Sequence, residues 1–259
     1  MSPARVPIDL GPGVRAAFTT TATGNLSLLL GDDPVAVVRR RQDLDAWLGA
    51  PATYVRQVHG ADVHRCDTSA GPAGGAPNGL VAADAIVGAG DAALAVLVAD
   101  CVPVLLADPV HRVVAAVHAG RAGVVAGVVP AAVAAMVEAG AHAPSVRAVV
   151  GPAICGDCYE VPAGLRDEVE ALVPGTAART SWGTPSLDLP GAVARQLRVL
   201  GIASTRLAAC TLTDDRWFSH RAAGGAAGAG TARPAGRFAA VVRLTPGVSP
   251  LPTGTPGLA

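Results

Sequence analysis

Lysine is missing from this chain of 259 residues, so all 20 basic residues are arginine, set against 20 acidic ones. With the heavy use of Ala, Gly and Pro, that bias points to a GC-rich coding genome more than to a function. The formal net charge is zero and no long basic run occurs. The electrostatic footprint of a nucleic-acid binder is therefore absent, and nucleic acid is not an expected partner. Aromatic residues supply only 3% of the chain, which leaves Val, Leu, Ala and Ile to build the core of what is expected to be one domain. The longest apolar stretches are interrupted by Asp100, Pro103, His118, Arg121 and Pro130. A membrane span needs ~20 largely uninterrupted apolar residues, so no membrane partner is expected. Met1 to Gly13 has no apolar stretch followed by a small-residue cleavage site, and a cytoplasmic protein is expected. The five cysteines (Cys66, Cys101, Cys155, Cys158, Cys210) are odd in number and scattered, which argues against a disulfide framework and for reduced thiols or ligands.

What the chain does have is an organising stretch, Val98 to Gly123. Two runs rich in Val and Leu flank a Pro-bearing turn, Asp108 to Arg112, and predict two antiparallel strands. Cys101 stands eight residues before Pro109 and His118 nine after it. Pairing about the turn therefore brings a thiol and an imidazole together, as a metal site or as a catalytic pair.

Other strands are predicted at Val14–Thr20, Thr53–Val58, Asp84–Val87, Ala92–Val98, Val146–Val150, Arg206–Cys210 and Arg237–Leu244, with Asp62–Cys66 as a continuation of the Thr53 pairing. Helices are predicted at Val35–Leu48, opened by Asp33 and Pro34, at Gly123–Ala139, at Pro162–Leu172, and from Asp188 to Leu200. Pro130 should either kink the second of these or mark a later helix start. Asp67–Gly79 and Ala222–Ala235 read as loops, and Thr245–Ala259 as a disordered tail. The expected fold class is α+β, with mixed β-sheets packed with helices in a single domain over residues 1–244 and a tail over 245–259.

Three fragments carry potential chemistry: Gln57-Val58-His59-Gly60, Ala99-Asp100-Cys101-Val102-Pro103 and His118-Ala119-Gly120. A cysteine in an apolar strand is ordinarily an inert core residue. Here each donor sits at a strand end beside a small or turn residue, where a side chain can enter a cleft. With Phe18-Thr19-Thr20, Asp84-Ala85-Ile86-Val87, Gly151-Pro152-Ala153-Ile154, Cys158-Tyr159-Glu160-Val161, Cys210-Thr211, Phe218-Ser219-His220-Arg221 and Gly236-Arg237, the order of fragments resembles the bacterial laccase-domain proteins. These are the multicopper polyphenol oxidoreductase-like purine nucleoside phosphorylase family, and the resemblance covers nearly the whole chain.

The resemblance implies that His59, Cys101 and His118 bind one metal ion, zinc or alternatively copper, and serve catalysis. Two imidazoles and a thiolate suit tetrahedral zinc with an open fourth position. It further implies phosphorolysis of adenosine, inosine and S-methyl-5'-thioadenosine, releasing ribose 1-phosphate and free base, with adenosine deaminase activity besides. The partners are then a purine nucleoside and phosphate; nothing in the sequence specifies a protein partner. Arg221 and Arg237 match arginines of the family's late motifs and are candidates to bind phosphate, because a planar guanidinium fork matches the anion. Asp84 is a candidate to orient a ligand imidazole, contact substrate or cap a turn. Asp100, next to Cys101, is expected to serve structure.

Where the family has Trp-Arg after His-Ala-Gly this chain has Arg121 and Ala122, and Thr21 replaces an arginine. Arg121 is then a candidate to supply charge to the substrate from one position earlier. Cys155-Gly156-Asp157-Cys158 has CxxC spacing but neither a second CxxC nor a thioredoxin-like pattern around it, so redox chemistry is not expected there, and Cys66 and Cys210 are expected to pack inside. The alternatives are a copper-dependent, laccase-like polyphenol oxidase, a Cys101–His118 thiol hydrolase, and a divergent non-catalytic metal-binding scaffold.

Overall fold

The computed structural model describes residues 3–66, 81–224 and 233–246. The chain starts with β1 (Arg5–Ile8), β2 (Val14–Thr19) and α1 (Pro34–Leu48), then runs through β3 (Val63–Cys66), β4 (Ala85–Ala89) and β5 (Ala93–Val98) into β6 (Val102–Asp108) and β7 (Val113–Ala119). After these come α2 (Arg121–Ala126), α3 (Val128–Glu138), β8 (Arg147–Val150), α4 (Ala163–Leu172), β9 (Ala177–Arg179), β10 (Pro185–Leu187), α5 (Leu189–Val199), β11 (Ala203–Arg206) and β12 (Phe238–Leu244). A six-stranded mixed sheet has the order β11-β8-β6-β7-β4-β3, and a four-stranded antiparallel sheet the order β1-β2-β12-β5.

The sheets pack face to face, with helices outside both, giving an α+β fold in α-β-β-α layers. β6 and β7 are buried along their whole length, as continuous β-branched and aliphatic runs require when both faces are covered. Side chains alternate along them. Val102, Val104, Leu106, Ala115 and Val117 pack toward α3 and α5, while Leu105, Ala107, Val114 and Ala116 pack toward the four-stranded sheet. By the same alternation His118 turns toward the space between the sheets, where Cys101 also packs. Three of the few aromatics, Phe18, Trp217 and Phe238, are fully buried in that inter-sheet core. The outer face of the smaller sheet is covered by Leu44 and Leu48 of α1.

The hairpin forms as the sequence predicts, with Pro103 opposite His118 and Asp108 opposite Val113. Its turn is fixed by Asp108, whose carboxylate accepts from the N–H groups of Val110 and His111 (both 3.0 Å), from His142 N–H (2.8 Å) and from His111 Nδ1 (2.8 Å). α1 begins at Pro34 with Asp33 accepting from Val35 N–H, and α5 begins after Asp188, which caps Gly191 N–H.

Three predicted elements differ. The Gly123–Ala139 helix is two helices, separated at Gly127, whose φ of 84° is left-handed. Pro130 is then the third residue of α3, where its missing N–H leaves no intrahelical bond unmade. Thr53–Val58 is not a strand. It makes only the single bridges Thr53–Leu94 and Arg56–Ala82, and the Gln57 side-chain amide takes over strand pairing by donating to Leu97 O (2.7 Å) and accepting from Leu97 N–H (2.9 Å). The strand expected at Arg206–Cys210 ends where it was meant to begin, because β11 pairs with β8 only through Arg206. Beyond it the chain leaves the sheet edge to bring Cys210 beside Ala153. The predicted 67–79 loop, most of the Gly/Ala-rich loop and most of the 245–259 tail lie outside the described residues.

Candidate metal centre

Three potential ligands converge at one end of the inter-sheet space. The ligand atoms of His59, Cys101 and His118 all lie within 4.8 Å of one another, with Cys101 Sγ 3.8 Å from His59 Nε2. The imidazole rings meet edge-on, their centroids 4.8 Å apart. His118 is buried on β7, whereas Cys101 is partly covered and His59 exposed.

Neither His59 nor Cys101 is delivered by a strand. His59 has φ 62°, and Asp100, immediately before Cys101, has φ 79°, a left-handed conformation that costs a non-glycine residue energy unless its surroundings enforce it. An aspartate enforces each. The fully buried Asp84 accepts from the N–H groups of Val58 (3.1 Å), His59 (2.9 Å) and Gly60 (2.7 Å), and also from His118 Nδ1 (2.7 Å). One carboxylate thus shapes the turn that carries the first imidazole and orients the second, leaving His118 Nε2 to face the cluster. Asp100 uses its own carboxylate, accepting from Thr211 Oγ1 (2.6 Å) and Arg221 N–H (2.7 Å). Asp100 therefore serves structure, as expected, through a left-handed turn and not through strand alternation.

Gly120 closes the cluster from below. A Cβ there would meet His59 Cδ2 at 2.7 Å, Cys101 Sγ at 3.3 Å and His118 Cε1 at 3.6 Å, so only a residue without a side chain lets the three donors approach. Electrostatics favour the ligating form of the thiol. Burial works against a charged Cys101, but the His118 and His59 imidazoles outweigh it and bring the thiol from 9.0 down to about 6. Burial likewise opposes a charged His118, yet Asp84 and Cys101 raise it from 6.5 to about 9. The two shifts run in the same sense, favouring a Cys101 thiolate beside a protonated His118, a pair that gives up its proton when a metal ion binds. Two nitrogens and one sulfur within this span fit a tetrahedral ion with one position left open.

The open side faces a cleft of about 320 Å³, whose wall includes His59, Cys101, His118, His220 and Arg237. Of the candidate arginines, Arg237 is the one that lines this cleft. Burial pushes its guanidinium down, while the charges of Cys101 and Asp100 pull it up. Arg221 lies instead over the ring of Tyr159 (5.4 Å), donating to Glu160 O (3.1 Å). Arg121, the first residue of α2, also reaches Tyr159, whose hydroxyl is raised by burial and by the Cys101 charge and lowered by both arginines. Asp84 has both oxygens occupied by protein donors, so its observed partners are His118 and the turn. Sequence reasoning assigned no role to Tyr159 or His220, although both stand inside motifs it quoted. It also did not foresee the Tyr54 hydroxyl, which is buried beside the cleft without a hydrogen-bond partner among the described residues. Cys210 is likewise not simply packed inside: it is half-buried, and its Sγ accepts from Cys155 N–H at 3.4 Å.

No helix among the described residues is long and apolar enough to cross a membrane, and all five cysteines are free thiols. Residues 13–245 match the family described as multi-copper polyphenol oxidoreductase laccase. The chain is 51% identical over 202 residues to a purine nucleoside phosphorylase of Streptomyces griseus, covering 76% of this chain and 80% of that one. To a purine nucleoside phosphorylase of Mycobacterium bovis it is 42% identical over 242 residues, covering 88% and 91%. Among solved structures, a Neisseria meningitidis protein superposes with TM-score 0.78 at 28% identity, over 94% of this chain and all of the other. A Geobacillus stearothermophilus protein gives 0.79 at 28% identity, over 90% and 93%. The chain belongs to the multi-copper polyphenol oxidoreductase laccase family, whose curated relatives at this level of identity carry the name purine nucleoside phosphorylase.

Proposed function

We propose that the chain is a cytoplasmic, zinc-dependent purine nucleoside phosphorylase acting on adenosine, inosine and S-methyl-5'-thioadenosine, with adenosine deaminase activity, built as one domain over residues 1–244. The observation that carries this reading is the His59, Cys101, His118 cluster opening onto a cleft whose wall also holds the half-buried Arg237. The names of the relatives supply the substrate class.

In this reading His59, Cys101 and His118 are the metal ligands and the catalytic set. A zinc ion held there would supply Lewis-acid chemistry and activate water near neutral pH. The chain's own residues do the rest. Asp84 fixes the orientation of His118 and the turn of His59. In phosphorolysis a phosphate oxygen forms the bond to C1′ of the ribose while the C1′–N9 bond breaks, its electron pair leaving with the purine. Arg237 holds the phosphate by its planar fork, and Arg121 and Arg221 contribute positive charge from the Tyr159 side. Asp84, within this scheme, reaches the substrate through His118. In deamination, water adds at C6 of adenosine and ammonia departs.

The experiment is adenosine turnover by metal-quantified protein with and without phosphate, separating the products. Adenine with ribose 1-phosphate only when phosphate is present is the expected result for phosphorolysis, and inosine without phosphate for deamination. Neither product at full zinc occupancy would refute the assignment. The donor set also suits copper, which favours a second reading as a polyphenol oxidase. One mononuclear cluster of two nitrogens and a sulfur is poorly equipped for the several electrons that reduction of dioxygen to water demands. Sustained phenol oxidation with dioxygen consumption by copper-loaded protein, with no nucleoside turnover in the zinc-loaded form, would reverse that preference.

A further inference from the structure

A second cluster of soft donors stands outside the centre just described. Cys155 and Cys158 lie on the turn after β8, and Cys210 arrives from the segment after β11. Their three sulfurs are all within 4.8 Å of one another. Cys158 is buried, while Cys155 and Cys210 are half-buried, so an ion can reach the cluster from solvent. None of the three is spent on a disulfide.

From this geometry we infer that Cys155, Cys158 and Cys210 form a second metal site, an all-sulfur one, for a thiophilic closed-shell cation, copper(I) or zinc. Three thiolates around an ion at ~2.3 Å stand about 3.8 Å apart. The observed span therefore closes with sulfur movements below roughly 1 Å, within the freedom of χ1 rotation. A disulfide would need two of the three to close to ~2.05 Å and would leave the third unused. Hard cations prefer oxygen donors, whereas thiolates select copper(I) and zinc. No imidazole or carboxylate among the described residues joins the cluster within the same span. Copper(I) is content with three sulfurs, and zinc would complete its shell with water. On binding, each thiol gives its proton to solvent and no electron is transferred.

The location gives the ion a task. Ile154 N–H donates to Asp100 O (3.0 Å), Thr211 N–H to Ala153 O (3.1 Å), and Thr211 Oγ1 to the Asp100 carboxylate. The two segments that carry the three thiols are therefore the ones that hold the left-handed residue preceding Cys101. An ion there clamps them together and stiffens the delivery of Cys101 without touching it. This inference does not depend on the substrate assigned to the cleft.

The test uses the full chain, reduced and stripped of metal, then equilibrated in separate arms with zinc and with chelator-buffered copper(I). Bound metal is counted by elemental analysis and its ligands by X-ray absorption. The expected result is a second equivalent per chain with sulfur-only protein ligands in at least one arm, the arm identifying the cation. That equivalent should persist in Cys101→Ser and disappear in Cys155→Ser, which keeps the nitrogen-containing one. Cys155 is half-buried, and Cys210→Ser repeats the measurement if Cys155→Ser does not fold by circular dichroism. The melting temperature of the wild type should rise on adding the second equivalent, and that rise should vanish in Cys155→Ser. A single equivalent in both arms, unchanged by Cys155→Ser, overturns the inference. So does the loss of two reactive thiols in protein that holds no metal, which would mark a disulfide.

Discussion

Asp84 and Asp100 perform similar backbone tasks a few ångströms from the same cluster, and their difference is instructive. Each holds a non-glycine residue in a left-handed turn beside a potential ligand. Asp84 spends four hydrogen bonds and includes an imidazole of the cluster among its donors. Asp100 accepts from Thr211 and Arg221, residues more than a hundred positions away, and touches no ligand. One carboxylate governs both the position and the basicity of its ligand; the other governs position alone. Changes at the two should therefore separate in metal affinity, in turnover and in stability.

The reference point, and the largest effect, is Cys101→Ala, which should abolish nucleoside turnover and the metal equivalent with nitrogen ligands, measured by product chromatography and by elemental analysis with X-ray absorption, while any all-sulfur equivalent stays. Asp84→Asn comes next. It keeps the shape but removes the charge that faces His118, and metal affinity should fall about 10- to 100-fold, read by competition with a chromophoric chelator. If Asp84→Asn binds metal like the wild type, the distinction between the two aspartates collapses. Asp100→Ala should leave the intrinsic affinity nearer the wild-type value. It strands the Thr211 hydroxyl and Arg221 N–H, costs about 1–3 kcal/mol of stability in denaturant unfolding, and lowers kcat because Cys101 is no longer held in place. Gly120→Ala probes the shared floor. A methyl group 2.7 Å from His59 Cδ2 should displace that imidazole, weakening metal binding with little change in melting temperature.

The smallest effect sits at the far end of the hairpin, where Asp108 makes the same kind of turn with no ligand nearby. Burial pushes its carboxyl up, but the amides of His142 and His111 and the His111 ring hold it below the usual 3.8. A carboxylate with a lowered folded value contributes stability that is complete above the unfolded value and is lost as pH falls through the folded one. Asp108→Asn should therefore flatten the acid limb of unfolding free energy below about pH 4, with metal binding unaltered. An acid limb identical to the wild type would show that this turn is not a determinant of acid stability.

How much of this was legible in the sequence follows from how local each determinant is. The β6–β7 hairpin could be read because its pattern of β-branched residues, its turn and its two donors lie within one continuous stretch, and the helix caps Asp33 and Asp188 are equally local. The turn at His59 could not. Its left-handed backbone is imposed by a carboxylate 25 residues further on, and the predicted strand before it is replaced by a glutamine side chain pairing with a backbone 40 residues away. The sequence offers Asp84 as a candidate, but its joint hold on the turn and on His118 is a property of three dimensions. The same holds for Cys210. The CxxC spacing looked weak because the third sulfur comes from 55 residues beyond Cys155. Arg121, Arg221 and Arg237 are equal candidates in the sequence, yet of the three only Arg237 stands in the wall of the cleft; the other two flank Tyr159, a division that spacing does not encode.

The burial of β7 on both faces has a dynamic corollary. Its amides are expected to be among the most protected, since the strand is buried and paired on both sides, whereas the N–H groups of residues 58–60 are held by one carboxylate. Such segments open by different routes, the strand with global unfolding and the turn by local fluctuation. An ion bridging His118 and His59 would tie the turn to the strand. Hydrogen–deuterium exchange at Val58, His59 and Gly60 would then slow on metal loading while exchange along β7 stays as it was, a readout of site assembly that needs no substrate.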